Sequence, residues 1–208
     1  MNNSNDGIFR INTSDALNLN ATAPAIQSIS TFNLVPEDHP ILSEVLPLFD
    51  FGCCPVNPSE FASTLVETCK ANKGIGLSAN QCGFRYRVFV MGMGENYVAF
   101  FNPVLLKMST EESLLIEGCL SFPLLGLRIK RPTSIIVEYQ DYLGDAHTTQ
   151  LDGMSARCFL HELDHMNGIT YIHRAKPLAL KSGVTKRKKI LTKMMGQYRM
   201  SNMREMSN

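Results

Sequence analysis

Apolar residues are spaced unevenly along this chain, and the spacing marks out its elements. Residues 1 to about 33 carry many Asn, Ser and Thr with little periodicity. Such a segment buries too little apolar surface to offset chain entropy, so the arm is expected to be loose or draped on the surface. From Pro58 onward, Phe61, Ala62, Leu65, Val66 and Cys69 recur at helical spacing, which predicts a helix over residues 59–72 with Ser59 as its N-cap. That helix runs into a Gly-rich segment. Strand-like runs follow at 86–91, 97–101, 114–116, 133–140 and 147–151, punctuated by Gly92, Gly94, Pro103, Pro132 and Gly144. Their short separations suggest antiparallel pairing. Asp152-Gly153 then opens a second helix through Met166, stopped by Asn167-Gly168, and a last helix is expected over 184–198. No internal repeat at solenoid periods is visible.

Composition narrows the picture. A chain of 208 residues with 44% apolar content suits one domain with a real core. No apolar run approaches the ~18 residues of a membrane helix, and the first ten residues lack the layout of a secretory signal. The arm holds one Arg (Arg10) against two Asp (Asp6 and Asp15), unlike an organellar transit peptide. The expected location is the cytoplasm. Six cysteines (Cys53, Cys54, Cys69, Cys82, Cys119 and Cys158) are read as reduced thiols, because a core of this size needs no staples. The net charge of +1 hides an asymmetry: residues 174–199 contain nine Lys or Arg and no Asp or Glu. A basic tail on an acidic body suits contact with nucleic acid or an acidic surface, and suits equally a solvated helix face.

The chemistry concentrates in three short segments. His161-Glu162-Leu163-Asp164-His165 puts two histidines four positions apart, hence on one helical face where both can grip one metal. The flanking Phe159, Leu160, Leu163 and Met166 make this helix buried on most sides, where two imidazoles and two carboxylates need partners. Glu162 is the candidate general base. A catalytic metal also needs a third protein ligand and an open position for water, and Cys119, in a tight Glu117-Gly118-Cys119-Leu120-Ser121 turn, is the candidate third ligand. Glu117 is placed to orient a ligand histidine. In Gly74-Ile75-Gly76-Leu77-Ser78-Ala79-Asn80-Gln81 the glycines follow a helix rather than a strand and lack the lysine of a phosphate loop, so no nucleotide cofactor is expected. The alternative use is an extended wall that pairs with a peptide and ends in an amide, Gln81, that donates to a carbonyl oxygen.

Taken in this order, the three segments resemble the signature motifs of the peptide deformylase family. The resemblance extends to Asp38-His39-Pro40-Ile41-Leu42, Phe101-Asn102-Pro103, Arg131-Pro132 and Ile135-Ile136-Val137, and covers about residues 34–174. It implies that Cys119, His161 and His165 hold one divalent metal, Fe2+ natively, with Zn2+ or Ni2+ as other occupants. It also implies that Glu162 moves protons while Gln81 and the backbone N–H of Leu120 stabilise an oxyanion. The implied reaction releases formate from the N-terminal formyl-methionine of nascent peptides, with Ile75, Gly76, Leu115, Met154 and Cys158 lining the methionine pocket. Glu117, Arg131 and Asp164 are expected to support the site; Arg131 and Asp164 could pair to tie the metal helix to the sheet, or stand as two separate surface charges. The basic segment suggests the ribosome as a partner, as in bacterial relatives, and no membrane partner is expected. Two positions depart from the family pattern: Ser78 stands where Ala is usual and Leu160 where Gln is usual.

The chain is thus read as an α+β domain, antiparallel β-strands around a central HExxH-bearing helix with a C-terminal helix. Its parts are an arm at 1–33, a catalytic domain at 34–174 and a basic helix and tail at 175–208. The rival readings are a zincin-type metallopeptidase with His173 as third ligand, and a silent relative that binds ribosomes through its tail.

Overall fold

Residues 31–53, 56–93 and 96–205 are described by a computed structural model of the chain. Most of the N-terminal arm, Cys54 and Gly94 lie outside them. The end of the arm is docked rather than loose: the Phe32 N–H donates to Thr68 Oγ1 at 2.9 Å, and its ring centroid lies 4.7 Å from that of Phe84.

Helix α1 (Pro58–Ala71) buries Phe61, Ala62, Leu65, Val66 and Cys69, the residues at helical spacing. Its N-cap is Asn57 rather than Ser59. The Asn57 Oδ1 accepts from the Glu60 N–H at 3.1 Å, and Pro58 takes the first turn, where a missing N–H costs nothing.

Among the described residues seven strands follow: β1 (Gly76–Ser78), β2 (Val88–Met93), β3 (Asn96–Met108), β4 (Glu112–Cys119), β5 (Phe122–Pro132), β6 (Ser134–Gln140) and β7 (Ala146–Asp152). Five form one antiparallel sheet in the order β1-β2-β3-β6-β7, and β4 and β5 form a separate hairpin. β3 runs seven residues beyond its expected end at Phe101, through Pro103, by means of register shifts on either side of Leu105. Asn102 makes the bend with φ +49°, a conformation Asn tolerates. Its carboxamide clasps the backbone of Phe49, accepting at 2.7 Å and donating at 2.9 Å. β5 was not anticipated, because Pro123 and Gly126 interrupt it, yet Leu125, Leu127, Ile129 and Arg131 alternate inward along it.

Helix α2 (Gly153–Met166) is buried at every residue from Ala156 to Met166. Phe159 meets Phe89 and Phe100 edge-on, with centroids 5.2 and 5.4 Å apart, which seats the helix on the inner strands of the large sheet. Each such side chain contributes about 1.5–3 kcal/mol by burial, so α2 is a rigid platform. Leu160 joins the same core cluster, so the amide absent at this position is replaced by apolar packing.

Helix α3 (Pro177–Glu205) is longer than expected at both ends. It packs on β5 so closely that a Cβ on Gly183 would lie 2.5 Å from Leu127 Cδ2. Arg187 Nη2 reaches Glu37 Oε2 at 2.6 Å, and beyond this pair Lys188, Lys189 and Lys193 are exposed. No helix among the described residues is long and apolar enough to cross a membrane. Cys53, Cys69, Cys82, Cys119 and Cys158 are all free thiols, as expected of reduced cysteines.

Candidate active site

The end of β4, the edge strand β1 and helix α2 meet at a cleft of roughly 410 Å³. Cys119 is the last residue of β4, where the hairpin turn aims its thiol at α2. His161 and His165 stand one turn apart on the facing side of that helix, with ring centroids 5.3 Å apart. The Cys119 Sγ and one ring nitrogen of each histidine lie within 4.8 Å of one another.

Hydrogen-bond partners determine which atoms are available. Glu117, a carboxylate with no proton to give, lies 3.1 Å from His161 Nδ1, so Nδ1–H is the donor and Nε2 is the nitrogen left for the cleft. His165 Nε2 lies 3.3 Å from Cys119 Sγ, and its buried Nδ1 has no partner. Burial, first of all, holds the His165 pKa well below the usual histidine value, so this ring is neutral. One thiol sulfur and two imidazole nitrogens, converging from rigid elements with room for a water, fit a tetrahedral divalent metal with an open position. His161 is by contrast a strong base: burial opposes its charge, but the Cys119 sulfur and the Glu117 carboxylate raise its pKa to about 10. A metal and a proton therefore compete for Nε2.

Glu162 is buried beside the cleft, with Oε2 unpartnered. Burial pushes its pKa up to about 7, while the His161 charge, a hydrogen bond from Ser78 and the Arg131 charge hold it from rising further. A carboxyl poised near neutrality is suited to both accept and return a proton. Gly76 is required for this arrangement, since a Cβ there would lie 2.5 Å from Glu162 Oε1 and 2.8 Å from Cys158 Sγ. Gln81 Nε2 donates to Cys119 Sγ at 3.3 Å and to Ser121 Oγ at 3.0 Å, which turns the amide N–H toward the cleft.

A buried ionic network supports the ligands. Arg131 Nε and Nη2 donate to the two Glu117 oxygens at 2.8 and 2.9 Å, and its Nη1 donates to Asp164 Oδ2 at 2.8 Å. The hairpin is thereby tied to helix α2 through Arg131 and Asp164. Burial works against ionisation of Glu117, but hydrogen bonds from His161 and Arg131 draw its pKa down to about 2.

Among the residues singled out from sequence, Ile75, Gly76, Gln81, Glu117, Cys119, Leu120, Met154, Cys158, His161 and Glu162 all line the cleft. His165 faces Cys119 at its floor. Leu115 does not line it. It is 44% exposed and level with Ile129, and on that face of β4 the Arg157 guanidinium bridges Glu117 and Ser113, the residues on either side of it. Ile116 lines the wall instead. His173 stands apart from the cluster with Nδ1 on Thr170 Oγ1 at 3.1 Å, so it completes no metallopeptidase ligand set.

Three supporting residues escaped the sequence reading. Arg157 donates to Glu117 Oε1 at 2.6 Å, and its position one helical turn before His161 was a usable signal. Arg174 pairs with Asp164 at 2.5 Å. Tyr171 lays its ring 5.5 Å from that of His161 and anchors its hydroxyl on the Leu125 carbonyl at 2.6 Å, a contact with no local signature.

Residues 32–181 match the family model of polypeptide deformylase. A peptide deformylase of Thermotoga neapolitana is 42% identical over 113 residues, spanning 54% of this chain and 69% of that protein. The crystal structure of peptide deformylase from Thermotoga maritima is similar with a TM-score of 0.68 and 34% identity, covering 71% of this chain and 99% of that one. A class I type b peptide deformylase from Acinetobacter baumannii, solved with Met-Ala-Ser bound, gives a TM-score of 0.66 at 26% identity, covering 70% and 98%.

Proposed function

We propose, since this chain belongs to the peptide deformylase family, that it hydrolyses the N-formyl group from the N-terminal formyl-methionine of newly made polypeptides and releases formate. The observation that carries this reading is the convergence, in one cleft, of a sulfur-and-imidazole ligand set, the Gln81 amide and the half-unpartnered Glu162 carboxyl.

Cys119, His161 and His165 would hold a divalent metal, which would supply Lewis acidity toward a water and the formyl carbonyl. We propose ferrous iron as the native ion, with zinc or nickel as alternatives. The chain's own residues do the rest. Glu162 takes a proton from the attacking water and passes it to the leaving amine, a double role that suits a pKa of about 7. Gln81 Nε2, exchanging its contact with the Cys119 sulfur, and the Leu120 N–H donate to the carbonyl oxygen as it gains charge. Ile75, Met154 and Cys158 offer apolar surface to the methionine side chain, and the outer edge of β1 pairs with the extended peptide. The Acinetobacter relative was solved with Met-Ala-Ser bound, a peptide that begins with methionine, which supports a methionine-first peptide as the ligand.

The deciding measurement is formate release from formyl-Met-Ala by protein purified anaerobically with ferrous iron, with metal content determined on the same sample. Release accompanied by about one metal per chain is the expected result. A metal-loaded sample that releases none overturns the reading in favour of a silent relative.

The basic segment is proposed to contact the ribosome. Because Gly183 and Arg187 pack α3 onto the body, the informative truncation begins after them. Deleting residues 189–208 is expected to weaken ribosome co-sedimentation at low salt while leaving turnover of a short formyl peptide unchanged. Equal co-sedimentation of both forms would return the segment to a solvated helix face.

A further inference from the structure

The Gln81 amide is held from behind by the hydroxyl of Ser78. Ser78, the last residue of β1, is fully buried. Its backbone N–H donates to Gln81 Oε1 at 2.9 Å, and its Oγ lies 3.0 Å from that same oxygen and 2.8 Å from Asn80 Oδ1.

The chemistry of the partners forces these atom assignments. A backbone N–H can only donate, so the Gln81 atom facing it must be oxygen, and the nitrogen must face Cys119 and Ser121. The Asn80 nitrogen faces two backbone carbonyls, those of His165 at 3.0 Å and Ile41 at 3.4 Å, so its oxygen must face Ser78. The Ser78 hydroxyl thus stands between two amide oxygens that can only accept. It is a donor shared between them.

We propose that Ser78 is a positioning residue: its hydroxyl locks the Gln81 amide with Nε2 turned to the reacting oxygen, and joins that amide through Asn80 to the His165 carbonyl of the metal-bearing helix. This rests on the deformylase reading for its effect on rate. An alanine at this position keeps one of the two donors to Gln81 Oε1, the backbone N–H, and leaves Asn80 Oδ1 without the hydroxyl. The amide then spends part of its time turned away from the oxygen that gains charge. Such a loss acts on the transition state more than on substrate binding.

The test compares Ser78→Ala in the parent and in a Gln81→Ala background, with metal-loaded protein and formyl-Met-Ala. In the parent, Ser78→Ala is expected to lower kcat roughly 5-fold, the factor carried by one neutral hydrogen bond, with KM unchanged. In the Gln81→Ala background the same substitution is expected to change kcat by less than about 2-fold, because the group it positions is gone. Unchanged kcat in the parent overturns the proposal. So does an equal fall in both backgrounds, which would mean that Ser78 acts through another group, such as Glu162, whose pKa the Ser78 side chain helps to hold down. A second readout needs no turnover. The Gln81 side-chain NH2 signals in 15N-labelled protein are expected to show one slowly exchanging conformer that broadens and exchanges faster in Ser78→Ala. Identical spectra overturn the positioning. A parent that releases no formate overturns the deformylase reading alone, and the spectra still decide whether Ser78 orients Gln81.

Discussion

Glu162→Ala is expected to retain its metal and to lose about 10²–10⁴-fold in kcat, the range carried by a positioned proton carrier. The side chains placed to hold a metal are Cys119, His161 and His165, and Glu162 is not one of them, so metal content should match that of the parent. Burial, first of all, sets the Glu162 pKa at about 7. The group must be ionised to take a proton from water, so the parent's kcat/KM should rise with pH through about 7 and that limb should vanish in the variant. Near-parental turnover by Glu162→Ala, or an unchanged acid limb, would mean that another group moves the proton.

The second large effect is structural as well as chemical. Glu117 is buried and accepts from Arg131, Arg157 and His161. Glu117→Ala strands two guanidinium groups with their shared acceptor gone, and removing one partner of a buried ion pair destabilises by about 3–5 kcal/mol. For a domain of this size that lowers Tm by roughly 10 °C. The variant also frees the His161 ring, so metal affinity should fall about 10–100-fold, as when other carboxylates that orient ligand histidines are removed. Calorimetry and a competitive chelator titration read the two effects separately. Glu117→Gln, which keeps the shape and one acceptor oxygen, is expected to fall between parent and Ala in both. A variant as stable as the parent would show that the network stabilises nothing.

Much of the site was legible in sequence because its ligands obey local rules. Two histidines at i and i+4 share a helical face whatever surrounds them, and the apolar residues around them require that face to be internal. The covalent order Glu117-Gly118-Cys119 likewise puts a carboxylate and a thiol within one turn of chain. Helix α1 and the inner strands were readable for the same reason, since period and burial agree there. The missed parts were non-local. β5 alternates, but Pro123 and Gly126 broke the run, and only its pairing with β4 restores it. Tyr171 reaches His161 from a turn beyond the metal helix, and no spacing encodes that contact.

By itself, then, the sequence determined which residue types could form a metal-dependent hydrolytic site and which helix would carry it, because periodicity and short-range spacing are local properties of the chain. Only the tertiary structure decided that Cys119 crosses 46 positions of sequence to within 3.3 Å of His165 Nε2, and that Arg157 fills the face of β4 where Leu115 was expected to reach the cleft. It also decided that the Ser78 hydroxyl falls between two amide oxygens. Those outcomes depend on how a hairpin and a helix pack on a sheet, and packing selects among orientations that the local sequence leaves equally open.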